Sequence, residues 1–165
     1  MTKTKIYIDA ANLHAASRYF DKNIDYKRLF VWLKDKFKTT DIYYFIGYVK
    51  ENEDLYTKLE AYGYKLIFKK TLRSQGKIKG NCDAELVLTA TKDVIESDID
   101  ELVLVSSDGD FACLLEFATE RGKKVKVISP SKRLSYLIRK MNLDIVWLYE
   151  LIDKIAQKEK APGKD

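Results

Sequence analysis

The stretch Leu102-Val103-Leu104-Val105-Ser106-Ser107-Asp108-Gly109-Asp110-Phe111 decides the fold. The four apolar residues read as a strand, and the polar segment around Gly109 as a turn. Phe111, Leu114, Leu115 and Ala118 then mark a helix that Gly122 ends. Upstream, Ile6-Tyr7-Ile8-Asp9 is a first strand running into a stretch that can be helical. Asp25 is a plausible cap for a helix from Tyr26 to Phe37, and the run Ile42 to Val49 is too continuously apolar for an exposed strand. Glu51 to Tyr62 reads as a helix closed by Gly63, and Tyr64 to Phe68 as a third strand. A long helix from about Asn81 to Ser97 carries the apolar stripe Ala84, Val87, Leu88, Thr91, Val94, Ile95. Downstream of the deciding stretch come a strand at Val125 to Ile128, a helix from Lys132 to Met141, a strand at Ile145 to Trp147 and a closing helix from Leu148 to Ala156.

Strands alternating with helices predict an α/β protein, a three-layer α/β/α sandwich around a mainly parallel, Rossmann-like sheet with right-handed crossovers. In such sheets ligands bind beyond the carboxyl ends of the strands, where the strand order reverses. If the order is 3-2-1-4-5, that point lies between the strands that end in Asp9 and Asp108. Residues 1–156 are expected to form one domain and 157–165 a polar tail.

Composition sets the class but not the chemistry. With 46% hydrophobic and 33% charged residues, 7 Gly and 2 Pro, the 165-residue chain is globular rather than disordered or fibrous. No apolar run has the length of a membrane span, and the start passes into a strand without a signal-peptide core. Cys82 and Cys113 form neither a CxxC pair nor a zinc pattern with the lone His14, so a reduced, cytoplasmic setting is expected. The formal charge of +5 favours contact with polyanions without demanding it.

Three separated segments each deliver acid to the same predicted rim: Asp9, Asp83 in the first turn of the long helix, and Asp108-Gly109-Asp110. Carboxylates packed together repel, and a divalent cation is the simplest way to neutralise them. With only oxygen donors, Mg²⁺ or Mn²⁺ is favoured over zinc, and the chemistry implied is phosphodiester hydrolysis by a metal-activated water. Each acid also has a structural reading. Asp108 or Asp110 could cap the helix that starts there and Asp83 could complement a helix dipole, whereas Asp9 has no helix obviously assigned to it.

Asn12 sits three residues after Asp9, where its amide could hold that carboxylate, a substrate phosphate or a helix end. Ser106 and Ser107 could meet phosphate through hydroxyl or backbone N–H groups, and no Ser/His/Asp arrangement makes either a nucleophile. Arg73, Lys77 and Lys79 belong to a basic loop or short hairpin just before Asp83 and could guide a phosphate backbone. Lys132, Arg133, Arg139 and Lys140 could extend that track.

Three ordered motifs, Tyr7-Ile8-Asp9-Ala10-Ala11-Asn12-Leu13, Lys79-Gly80-Asn81-Cys82-Asp83 and Ser106-Ser107-Asp108-Gly109-Asp110-Phe111, resemble the signatures of the NYN domain, a member of the PIN-like nucleases. The resemblance runs from Ile6 to about Trp147. It implies a PIN-like fold, a divalent metal and hydrolysis of RNA, with Asp9, Asn12, Asp83, Ser106, Asp108 and Asp110 at the family's motif positions. Where many members carry a further aspartate this chain has Thr89, and where many have glycine it has Ser107. The expectation is one firm metal on Asp9 and Asp108, with Asp83 and Asp110 completing the site and Glu85 as an alternative carboxylate for a second ion.

The leading expectation is therefore a metal-dependent ribonuclease. Thr89 keeps a second reading open, an RNA-binding or protein-interaction module that has lost efficient cleavage. A phosphoacceptor domain or dehalogenase-type phosphatase fits less well, since Ala11 stands where the latter needs an acid. A homodimer remains compatible with the sequence.

Overall fold

A computed structural model of the chain describes residues 1–70, 72–74, 77–79 and 81–158, with the side chains of 70, 72–74 and 77–79 left out of that description. The elements are β1 (Thr4–Asp9), α1 (Ala10–Ser17), α2 (Tyr26–Phe37), β2 (Ile42–Tyr48), α3 (Glu53–Tyr62), β3 (Lys65–Lys70), β4 (Leu72–Ser74) and β5 (Lys77–Lys79). They continue with α4 (Asp83–Glu96), β6 (Glu101–Val105), α5 (Ala112–Glu120), β7 (Lys124–Ser129), α6 (Tyr136–Arg139), β8 (Asp144–Trp147) and α7 (Ile152–Ile155). Six strands form one parallel sheet in the order β3-β2-β1-β6-β7-β8, and β4 and β5 pair as a separate antiparallel hairpin. The order expected from sequence holds, and it reverses between β1 and β6.

The pleat divides the core in two. Ile6, Ile8, Val103 and Val105 face α1, α2, α3 and α7, meeting Leu13, Leu29, Leu33, Leu59 and Ile155. Tyr7, Leu102 and Leu104 face the other way, toward Leu86, Ala90, Leu114, Leu115 and Ile138 of α4, α5 and α6. Successive strand residues point to opposite faces, so β6, buried along its whole length, is apolar from Leu102 to Val105, and its one buried acid, Glu101, accepts the Thr4 hydroxyl at 3.1 Å. The result is the three-layer α/β/α sandwich.

A buried polar cluster crosses these layers. The hydroxyl of fully buried Tyr7 donates to Asp93 at 2.7 Å, and the same carboxylate accepts from Lys5 at 2.8 Å and Ser97 at 3.1 Å. Aspartate in mid-helix thus pins α4 to β1.

Two helices differ from expectation. The helix expected from Lys132 is confined to α6, because the Ser131 hydroxyl accepts the Arg133 N–H at 3.0 Å and holds a turn there, while Ser135 caps the helix through Leu137 N–H. The expected closing helix is a 3₁₀ turn at Leu148–Leu151 followed by α7. Arg73, Lys77 and Lys79 lie in the β4–β5 hairpin, and their side chains fall outside the described residues, as does the chain from 159 onward. Among the described residues no helix is long and apolar enough to cross a membrane.

Candidate active site

Ile8 pairs with Val105 in the β1–β6 register, so the residues that follow, Asp9 and Ser106, come side by side at the sheet's carboxyl edge. Asp9 is 7% exposed and spends both oxygens internally: Oδ1 accepts the Asn12 N–H at 3.2 Å and Oδ2 accepts the Ser106 hydroxyl at 3.0 Å. It is the N-cap of α1, a role hidden in the sequence because strand passes into helix with no intervening loop. Burial raises its carboxyl above the ordinary value, the bonds from Asn12 and Ser106 pull it down, and the charge of Asp108 adds to the rise.

Ser106 is fully buried. Its oxygen accepts the Asp108 N–H at 3.1 Å while its proton goes to Asp9. The phosphate contact expected of this hydroxyl gives way to a different task, tying the first acid to the backbone of the third. Ser107 turns both its N–H and its hydroxyl onto Asn12 Oδ1, at 3.0 and 3.1 Å. That fixes the amide orientation, so the Asn12 NH₂ points the other way and has no partner among the described residues.

Asp108 caps the 3₁₀ turn Gly109–Phe111 by accepting the Asp110 N–H at 2.9 Å, and Asp83 is the first residue of α4. One carboxylate oxygen from each of Asp83, Asp108 and Asp110 lies within 4.8 Å of the others. Asp9 stands outside that trio but acts on it through its charge. The Asp83 carboxyl is pushed up to about 6, first by desolvation, then by Asp9, Asp108 and Asp110, with Lys69 opposing.

Glu85 points elsewhere. Its Oε1 is 3.9 Å from Lys69 Nζ, and its buried Oε2 has no hydrogen-bond partner among the described residues. Lys69, expected to open the basic loop, instead lies near the carboxyl end of β3. Nearby Cys82 is buried, and its thiol is pushed up to about 11 chiefly by that burial, so it supplies no thiolate. His14 is exposed on α1.

Gly109, between the two acids, is fixed by a close approach. A Cβ there would lie 2.3 Å from Ser135 Oγ and 3.0 Å from Ser135 Cβ. Ser135 N–H also donates to Ser107 O at 3.2 Å, so this segment braces the acid-bearing turn. Gly109→Ala is expected to rotate Ser135 out of its capping position and lower stability by about 1–2 kcal/mol. Adding Ser135→Gly should restore most of the loss, as glycine is a tolerable cap. Chemical denaturation of the single and double variants checks this; a neutral single variant would show that the contact is easily relieved.

The parallel three-layer sandwich with acids gathered at the strand-order reversal agrees with the PIN-like fold expected from the three motifs. The NYN domain model matches residues 3–146, and the chain belongs to that family. A crystal structure of a protein of unknown function from Vibrio parahaemolyticus shares the fold with a TM-score of 0.74 and 23% identity, over 94% of this chain and 96% of that one. No curated protein matches this chain.

Proposed function

We propose that this chain is a metal-dependent ribonuclease that hydrolyses RNA phosphodiester bonds at the acidic rim. The observation that carries the proposal is the trio Asp83, Asp108 and Asp110, three oxygens within 4.8 Å in which Asp83 is pushed up to about 6. Such a group is strained electrostatically until a proton or a cation joins it. The donors are all hard oxygens, which suits Mg²⁺ or Mn²⁺. Asp83, Asp108 and Asp110 would hold the ion, which when bound makes a water more acidic and offsets charge building on the phosphate.

The protein's own groups do the rest. Asp9, hydrogen-bonded to Asn12 and Ser106, acts as a fixed negative charge behind the trio and as the anchor of the Ser106–Asp108 turn. Asn12, its oxygen taken by Ser107, keeps its NH₂ for a phosphate oxygen. Glu85 is engaged with Lys69 and is not needed for this ion. In this reading the basic hairpin that carries Arg73, Lys77 and Lys79 guides the phosphate backbone. Two free thiols agree with a reducing, cytoplasmic setting.

Purified full-length chain incubated with labelled RNA and DNA, in Mn²⁺, Mg²⁺ or chelator, tests the reading. RNA should be cut in metal only. Equal cutting in chelator would refute metal dependence, and RNA bound but never cut would favour the inert-module reading.

A further inference from the structure

A second concavity opens on the same rim, beyond the ends of β7 and β8. It encloses about 580 Å³ between the end of α1 and the loops that follow β7 and β8, and its walls include Tyr19, Phe20, Asp21, Lys132, Arg133 and Tyr149. That volume is in the range of small-ligand sites and accommodates a nucleobase. Tyr19 is 90% exposed, and Lys132 Nζ sits 5.0 Å from the centre of the Tyr149 ring. Neither Lys132 nor Arg133 is paired with a carboxylate among the described residues, so the one acid in the wall leaves the cleft net positive. An open aromatic ring, here Tyr19, beside cations that no carboxylate engages is the pairing that holds single-stranded nucleic acid: a base stacks on the ring and phosphates meet the charges.

One short segment links the cleft to the acid-bearing turn. Lys132 and Arg133 line the cleft, and two residues further on Ser135 packs against Gly109 and donates to Ser107 O. Neighbouring strands lie about 4.8 Å apart, so the ends of β6 and β8 are roughly 10 Å from one another, a span that a few nucleotides bridge.

We propose that this cleft seats an unpaired base and its phosphate from the RNA strand flanking the bond that is cut, with Tyr19 as the stacking face and Lys132 and Arg133 as phosphate contacts. The proposal rests on the ribonuclease reading for the location of the cut, but its geometry is independent of the acids. It confers a preference for single-stranded RNA, because bases held in a duplex cannot reach an aromatic face.

Binding of a short unstructured RNA to the full-length Asp108→Asn chain in Mg²⁺, followed by fluorescence anisotropy, is the test. Tyr19→Ala should weaken binding about tenfold, the scale of one lost base–aromatic stack. The pair Lys132→Ala and Arg133→Ala should reduce the slope of log affinity against log salt by about 1.4, at roughly 0.7 per phosphate on a single strand. All three residues are exposed, so the fold should survive. A fully paired RNA should be little affected by Tyr19→Ala. Unchanged affinity and slope with RNA still bound would overturn the cleft while leaving the nuclease reading intact, and an equal loss on duplex would overturn base stacking. Losses as expected in a parent that never cuts RNA would uphold the cleft and remove the nuclease reading. A chain that binds no RNA refutes both.

Discussion

Asp108→Asn is expected to slow metal-dependent RNA cleavage by at least about 100-fold, because loss of even an outer-shell metal partner commonly costs about 10–100-fold and Asp108 belongs to the trio itself. The fold should survive. Asparagine retains an oxygen for the Asp110 N–H, now 2.9 Å from Asp108 Oδ1, and the substitution removes one like charge from a crowded rim. Thermal unfolding without metal should therefore be unchanged or raised while cleavage is lost. A variant that cuts within threefold of the parent would remove Asp108 from the centre.

Asp9→Asn is a different experiment, although both acids were expected as principal metal ligands. Asp9 accepts on both oxygens, from Asn12 N–H and from Ser106, and Ser106 in turn accepts the Asp108 N–H. An amide NH₂ in place of one oxygen would face a hydroxyl that already donates toward it, so Ser106 would have to reorient. Loss of activity in that variant would mix chemistry with a displaced turn. Ser106→Ala isolates the displacement, since it leaves every acid in place.

What could be read from the chain follows the range of the interactions that decide it. The bounds of α2 are set locally by the Asp25 cap and the Leu29, Phe30, Leu33, Phe37 stripe, and they were legible. The strand order was legible because alternation of strand and helix leaves few topologies once crossovers are right-handed. The arrival of Asp83, Asp108 and Asp110 at one rim was expected, but the place of Asp9 outside the trio was not, for it depends on how the start of α4 and the β6 turn land relative to β1. Asp83 and Asp108 are 25 positions apart in sequence, and only packing of Leu86 and Ala90 against the sheet brings their carboxylates together. The shortening of α6 was equally hidden, since it arises from a serine hydroxyl turning back on the backbone within an otherwise helical pattern.

Asp83 links stability, pH and metal, and the sign of each effect follows from its displaced pKa. An aspartate that releases its proton near 6 in the folded chain and near 3.8 when unfolded binds more protons when folded between those values. Stability of the metal-free protein should therefore fall as pH rises from about 4 to about 6 and level off above that. Taken whole, such a shift corresponds to about 3 kcal/mol, but the partial exposure of Asp83 admits solvent screening and leaves about 1 kcal/mol. In a domain of this size that is about 2–4 °C in melting temperature. Asp83→Asn should remove this part of the pH dependence and melt higher than the parent at pH 8 in chelator. Adding Mn²⁺ at about 100 times its dissociation constant should stabilise the parent by about 2.7 kcal/mol at pH 8, less at pH 5 where protons compete, and the variant hardly at all. Thermal unfolding of both chains from pH 5 to 8, with chelator and with Mn²⁺, reads all of these together. Superimposable pH profiles and equal metal stabilisation in the two chains would mean that Asp83 neither carries the strain nor holds the ion.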